Sequence, residues 1–292
     1  MLEAARVPSA LLLVGPEGVG KALAARALAQ GLVCREASGV VGGCGACGDC
    51  QAVGSRRHPD IKIVDAEYQA SLREEDAAKQ RSLRVDTIRH LRRDMELESL
   101  LGGWKVALLD DAHTLEIEAA NALLKILEEP PRKSLWILVT AQPERLPRTV
   151  ASRCVKIPFA PLSAADVSAV LGASGMAAPE AARLGALCEG SVSRALALAQ
   201  SPGYPESLCD GPLAPFSAAD ALPKELYLAR SQAELALFSL AQKLRLEHLS
   251  GRKTFAQVEK PLREIVSLRQ ALRANADPKS VLALAGLEAE RL

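Results

Sequence analysis

The apolar run Leu11-Leu12-Leu13-Val14 leads straight into a glycine turn, and the next stretch, Ala22 to Leu32, is rich in Ala and Leu. A short uninterrupted apolar run closed by turn residues predicts a strand buried on both faces, and the stretch after it predicts a helix. The same alternation recurs. Ile61–Val64, Val106–Leu109, Leu135–Val139 and Val155–Phe159 read as strands. Val85–Leu97 reads as a helix with Ile88, Leu91 and Met95 on one face, and Ala119–Glu128 as a helix stopped by Pro130-Pro131. Strands alternating with helices predict an α/β domain with a parallel sheet covered on both sides. After Pro161 the strand pattern ceases. Ala164–Leu171, Pro179–Cys188 and Ser193–Ala199 predict three short helices, and Ser201–Pro215, rich in Pro, Gly and Ser, predicts a linker. From Pro223 the pattern is helical again, with Leu237, Leu240 and Leu244 on one face and Ile265, Leu268 and Leu272 on another.

Composition adds limits. The 292 residues are 49% hydrophobic but only 3% aromatic, so the cores must be built from Leu, Ala, Val and Ile. Thirty-six basic and 35 acidic side chains give a net charge of +1, without the basic surplus of a protein that binds DNA alone. The apolar run at Ala10–Val14 is far short of a membrane span and leads into a glycine loop, not a cleavage site, so the expectation is a cytoplasmic protein with no membrane contact. Seven cysteines in a reducing compartment point to metal ligation or inert thiols.

Gly15-Pro16-Glu17-Gly18-Val19-Gly20-Lys21-Ala22 lies between a predicted strand and a predicted helix. In that context the backbone N–H groups around Gly15, Gly18 and Gly20 converge on a phosphate and Lys21 reaches its outer oxygens. The full pattern has Ser or Thr after the lysine to ligate magnesium. Ala22 stands there instead. Strand Val106–Leu109 ends in Asp110-Asp111. Asp110 fits the magnesium-holding carboxylate, while Asp111 is one methylene shorter than the glutamate that polarises an attacking water. Two defects in one reaction point to a fossil or weakly binding phosphate loop; a plain glycine turn, and strand-end aspartates that act only as caps, are the alternatives.

Cys34, Cys44, Cys47 and Cys50 form C-x9-C-x2-C-x2-C with glycines at 42, 43, 45 and 48. Four thiolates at that spacing suit tetrahedral structural zinc. An iron–sulfur cluster shares the C-x2-C-x2-C run but continues as C-x3-C-P, which is absent, and free thiols are the remaining alternative. Cys154, Cys188 and Cys209 are isolated and read as small buried thiols. Arg153, taken alone, reads as the partner of a surface carboxylate.

Across residues 10 to 160 the chain resembles the bacterial clamp-loader subunits of the AAA+ family. The resemblance is carried by Gly15–Lys21, the four cysteines, His58-Pro59-Asp60, Val85-Asp86 with Ile88-Arg89, Asn121–Pro131, Leu146-Pro147 and Ser152-Arg153-Cys154, and by Asn275–Pro278 before a final Leu-rich helix. Ala22 and Asp111 align it with the delta-prime branch, whose phosphate loop is often degraded. The resemblance implies an AAA+ nucleotide-fold domain at 1–158 with a zinc module at 34–50, a helical lid at 159–205 and a helical collar at 206–292. It implies a hetero-pentamer with motor (gamma/tau) and delta subunits of DNA polymerase III, acting on a sliding clamp and primer-template DNA. Arg153 is then an arginine finger projected into a neighbouring subunit's ATP site. The alternative is a gamma/tau-like motor hydrolysing ATP with Lys21 and Asp110; a zinc-stabilised nucleic-acid-binding ATPase fits the flat charge balance less well. Arg194 sits one place later than the lid's nucleotide-sensing arginine, and Thr140 and Gln142 fall in the region of the polar sensor. The 14 residues before Gly15 and a collar of roughly 80 residues are both shorter than the family pattern implies.

Overall fold

The structure, a computed structural model, describes residues 7–37, 39–77, 80, 82–200 and 214–290. It divides into two compact units, Met1–Pro161 and Leu162–Leu292.

In the first unit the order is β1 (Ala10–Val14), α1 (Lys21–Val33), α2 (Gly48–Gly54), β2 (Ile61–Val64), α3 (Ala66–Arg73), α4 (Val85–Glu96), β3 (Lys105–Leu109), α5 (Ile117–Glu128), β4 (Ser134–Thr140), α6 (Arg148–Ala151) and β5 (Val155–Pro158). All five strands pair in parallel, in the order β2-β3-β4-β1-β5. Successive strand side chains point to opposite faces, so each apolar run feeds two cores. Leu12, Val14, Ala107, Leu109, Trp136 and Leu138 pack with Ile88, Leu91 and Met95 of α4 and with Leu123 and Ile126 of α5. Leu11, Leu13, Val106, Leu108, Leu135 and Ile137 pack on the other face with Ala25, Ala29 and Leu32 of α1. Burial on both faces is why the strands lack polar alternation. The edge strand β5 is exposed along its length and ends at Pro158, one residue short of the expected Phe159. Phe159 still donates its N–H to Val14 O at 2.7 Å.

This strand order puts β1, whose carboxyl end carries the glycine turn, between β4 and β5. The carboxyl ends of β1, β3 and β4 bring Gly15, Asp110 and Thr140 to one edge of the sheet, where open α/β sheets bind ligands.

The second unit begins with α7 (Ala164–Ala173), α8 (Ala178–Leu187) and α9 (Val192–Ala199), packed around Val167, Leu171, Leu184, Cys188 and Ala195. It continues with α10 (Ala214–Asp220), α11 (Leu226–Leu249), α12 (Phe255–Arg273) and α13 (Pro278–Glu290). Leu237, Leu240, Leu244, Ile265 and Leu272 share one core, with Leu268 packed against it. The expected boundary at 205/206, most of the Ser201–Pro215 linker and Cys209 lie outside the described residues. Among the described residues no helix is long and apolar enough to cross a membrane.

Candidate functional site

The glycine turn is built by close approach. Gly15 donates its N–H to Thr140 O at 3.3 Å, and a Cβ on Gly15 would stand 2.3 Å from Phe159 O. Gly18 and Gly20 take φ of +76° and +93°, a region open to glycine without steric cost, and Gly20 caps the start of α1. The Lys21 ammonium is nearly buried and donates to Gly15 O at 2.8 Å and Pro16 O at 2.6 Å. Burial lowers its pKa, opposed by the charges of Asp110, Asp111 and Glu17. Lys21 and the two aspartates expected to share its chemistry are thus brought together. Ala22, in the first turn of α1, offers no hydroxyl to a metal. Asp111 has φ +47° and donates its N–H to Asp110 Oδ1 at 3.0 Å. Thr140 is fully buried, and its hydroxyl oxygen accepts the Gln142 N–H at 3.0 Å.

The four cysteines also converge. Their sulfurs all lie within 4.8 Å of one another, with Cys34–Cys47 and Cys44–Cys50 each at 3.9 Å. Four thiolates about 2.3 Å from one zinc ion in a tetrahedron would stand about 3.8 Å apart, so the set fits that ion. Backbone N–H groups support the sulfurs: Ala37 and Cys44 donate to Cys34 Sγ at 3.2 and 3.3 Å, and Cys47 donates to Cys44 Sγ at 3.3 Å. Burial works against the Cys34 thiolate, but the Cys44 and Ala37 donors outweigh it and bring its pKa down to about 6. Gly43, at φ +58°, makes room: a Cβ there would stand 2.8 Å from Cys50 Sγ and 2.9 Å from Cys34 Cβ. Cys188 is buried and Cys154 half-buried, and burial pushes each thiol up to about 11, as inert thiols require.

Within His58-Pro59-Asp60, Asp60 proves to be an anchor and His58 a buried polar neighbour of the cysteine loop. His58 is buried; its Nδ1 accepts the Asp60 N–H at 3.2 Å, and its Nε2 lies 3.8 Å from Asp49, which also pairs with Arg35 at 2.9 Å. Asp49 stands between Cys47 and Cys50, so His58 lies beside the cysteine loop, at a distance from Asp49 beyond a hydrogen bond. Asp60 is 1% exposed and accepts from the Ser99 hydroxyl at 2.8 Å and the Leu100 and Leu101 N–H groups at 2.9 and 3.1 Å. Nothing in the sequence spacing announced these long-range partners.

Arg153 follows α6 and is partly exposed. Its Nε donates to Glu128 Oε1 at 2.8 Å, its Nη2 donates to the same oxygen, and its Nη1 donates to Thr149 O at 2.7 Å. The surface carboxylate partner expected of an isolated arginine is therefore present, and it is Glu128. Arg194 lies with its guanidinium 4.1 Å from the Phe238 ring centre and its Nη1 3.9 Å from Glu189. Its charge is directed to neighbours within the second unit.

Comparison with known proteins gives a consistent set of relatives. The family described as DNA polymerase III, delta subunit, matches residues 1–163. DNA polymerase III subunit delta' of Pseudomonas aeruginosa is 38% identical over 147 residues, 50% of this chain and 42% of that protein. The delta' subunit of Bacillus subtilis is 31% identical over 206 residues, 70% of this chain and 58% of that one. DNA polymerase III subunit tau of Escherichia coli is 35% identical over 155 residues, 53% of this chain and 22% of its own length. The chain thus spans about a fifth to three fifths of the curated relatives it matches. Among solved structures, a DNA polymerase III gamma subunit-related protein from Thermotoga maritima aligns over 97% of this chain and 95% of its own at 16% identity, with a TM-score of 0.49.

Proposed function

The chain belongs to the family described as DNA polymerase III, delta subunit, and on that premise we propose that it is a delta-prime-type clamp-loader subunit that does not hydrolyse ATP itself. It assembles with motor (gamma/tau) and delta subunits in a hetero-pentamer and presents Arg153 to the ATP of a neighbouring motor subunit, as the sliding clamp is loaded on primer-template DNA. The observation that carries this reading is a contrast within one domain. The chain's own loop keeps Lys21 but has Ala22 where a magnesium-ligating hydroxyl is needed, while Arg153 offers an accessible guanidinium beyond the sheet.

Each part has a physical role. As phosphoryl transfer spreads negative charge over the γ-phosphate oxygens, a guanidinium from outside the site stabilises it through charge-assisted N–H bonds. Lys21 and the loop N–H groups can still hold a nucleotide, but without the hydroxyl at position 22, and with Asp111 in place of a longer glutamate, metal and water are poorly positioned. The four cysteines hold a structural zinc ion: all four positions around the metal are taken by protein, so the ion supplies rigidity. The motor-subunit alternative has support in a relative named tau that is 35% identical over 155 residues. Ala22 and Asp111 both weigh against it.

Reconstitution tests the reading. The purified chain mixed with motor and delta subunits should sediment as one complex and support ATP-dependent clamp loading that is lost when this chain is left out. Clamp loading at full rate without it would remove the proposed role.

A further inference from the structure

We infer that Glu128 is a positioning residue for Arg153: it holds the guanidinium from behind, so that its outer pair of N–H groups faces away from the chain. This rests on the reading that Arg153 acts on a neighbour's ATP and specifies how the side chain is kept ready for it.

A guanidinium has five N–H donors: one on Nε and two on each Nη. Nε and one N–H of Nη2 go to Glu128 Oε1, and one N–H of Nη1 goes to Thr149 O. One donor is left on each Nη. An end-on fork matching two oxygens of a phosphate takes one donor from each Nη. The side chain is 33% exposed although both partners hold it. An unrestrained arginine at the surface would sample many rotamers, and each conformer pointing elsewhere would subtract from the fraction competent to meet a phosphate.

The place of Glu128 makes a second point. It is the last residue of α5, and Glu129 follows it at the cap. The carboxyl end of a helix carries partial negative charge and disfavours a carboxylate. Arg153 supplies the compensating cation. An exposed ion pair by itself adds little stability, so the pair is better explained by what it does to the geometry of Arg153 than by what it adds to the fold.

The test uses the assembled complex and reads single-turnover ATP hydrolysis at the site beside this chain. Glu128→Ala should slow that phase by on the order of ten- to a hundredfold with an unchanged KM for ATP, since a loosened group lowers the rate without touching nucleotide binding. Glu128→Gln keeps an acceptor oxygen and should recover most of the rate. In the Glu128→Ala/Arg153→Ala double variant the rate should equal that of Arg153→Ala alone, because Glu128 acts only through Arg153. If Arg153→Ala is slow but Glu128→Ala is as fast as wild type or faster, Glu128 does not position the finger and the inference fails while the finger reading stands. A double variant slower than Arg153→Ala would also overturn it, because Glu128 would then act elsewhere. Wild-type hydrolysis by Arg153→Ala would instead overturn the reading on which it rests.

Discussion

Gly43 shows how one residue decides whether four others can act together. Its φ of +58° costs a larger residue on the order of 1 kcal/mol, and a Cβ there would press on Cys50 Sγ and Cys34 Cβ. Gly45 has a comparable φ of +73° but open space around it. Gly43→Ala should therefore lower bound zinc well below one ion per chain by elemental analysis, while Gly45→Ala, with the same backbone cost and no collision, should keep it. Equal metal content in the two variants would show that packing at Gly43 does not matter. The four sulfurs were legible in the sequence because the two-residue gaps already force neighbouring thiolates together. Which glycine was indispensable was not, since that depends on how the loop folds against α1. Arg153 is the converse case: its position was legible, but its carboxylate lies 25 residues away on another helix.

The segment between α4 and β3 is held by a buried charge. Burial alone would raise the Asp60 pKa, but the Leu100 N–H, the Ser99 hydroxyl and the Leu101 N–H outweigh it and hold it below the ordinary value of 3.8. Asp60→Asn replaces one acceptor oxygen with an NH2 facing those donors, and should destabilise the protein by about 1–3 kcal/mol near pH 7 in denaturant unfolding. A depressed carboxyl contributes stability that is complete above its unfolded pKa and lost as pH falls through the folded one. The gap between wild type and variant should therefore narrow below about pH 4; a gap that stays constant to pH 3 would contradict the charge-based account. The strands and long helices were legible at this scale because apolar periodicity records burial directly. The short helices α2 and α3 were not. α2 is capped by a cysteine, Cys47, and α3 is capped by Asp65 and buries a polar residue, Gln69, bonded to Gln80, Ser82, Arg84 and Thr87. Neither has an apolar stripe to announce it.

For the whole molecule, holding a nucleotide and hydrolysing one are separate capacities. The isolated chain should show no steady-state ATP turnover above a Lys21→Ala control, because Ala22 leaves the metal short of a ligand while the loop N–H groups and Lys21 persist; turnover clearly above that control would favour the motor alternative. Arg153 is proposed to work on a neighbour's ATP. The decisive experiment is single-turnover hydrolysis by the assembled complex carrying Arg153→Ala, with sedimentation to verify assembly. A finger supplied in trans accelerates phosphoryl transfer by about 10³–10⁵-fold, so the phase belonging to the adjacent motor site should slow by about a thousandfold or more in an intact complex. Hydrolysis of every phase at the wild-type rate would contradict the claim and leave Arg153 as the surface partner of Glu128.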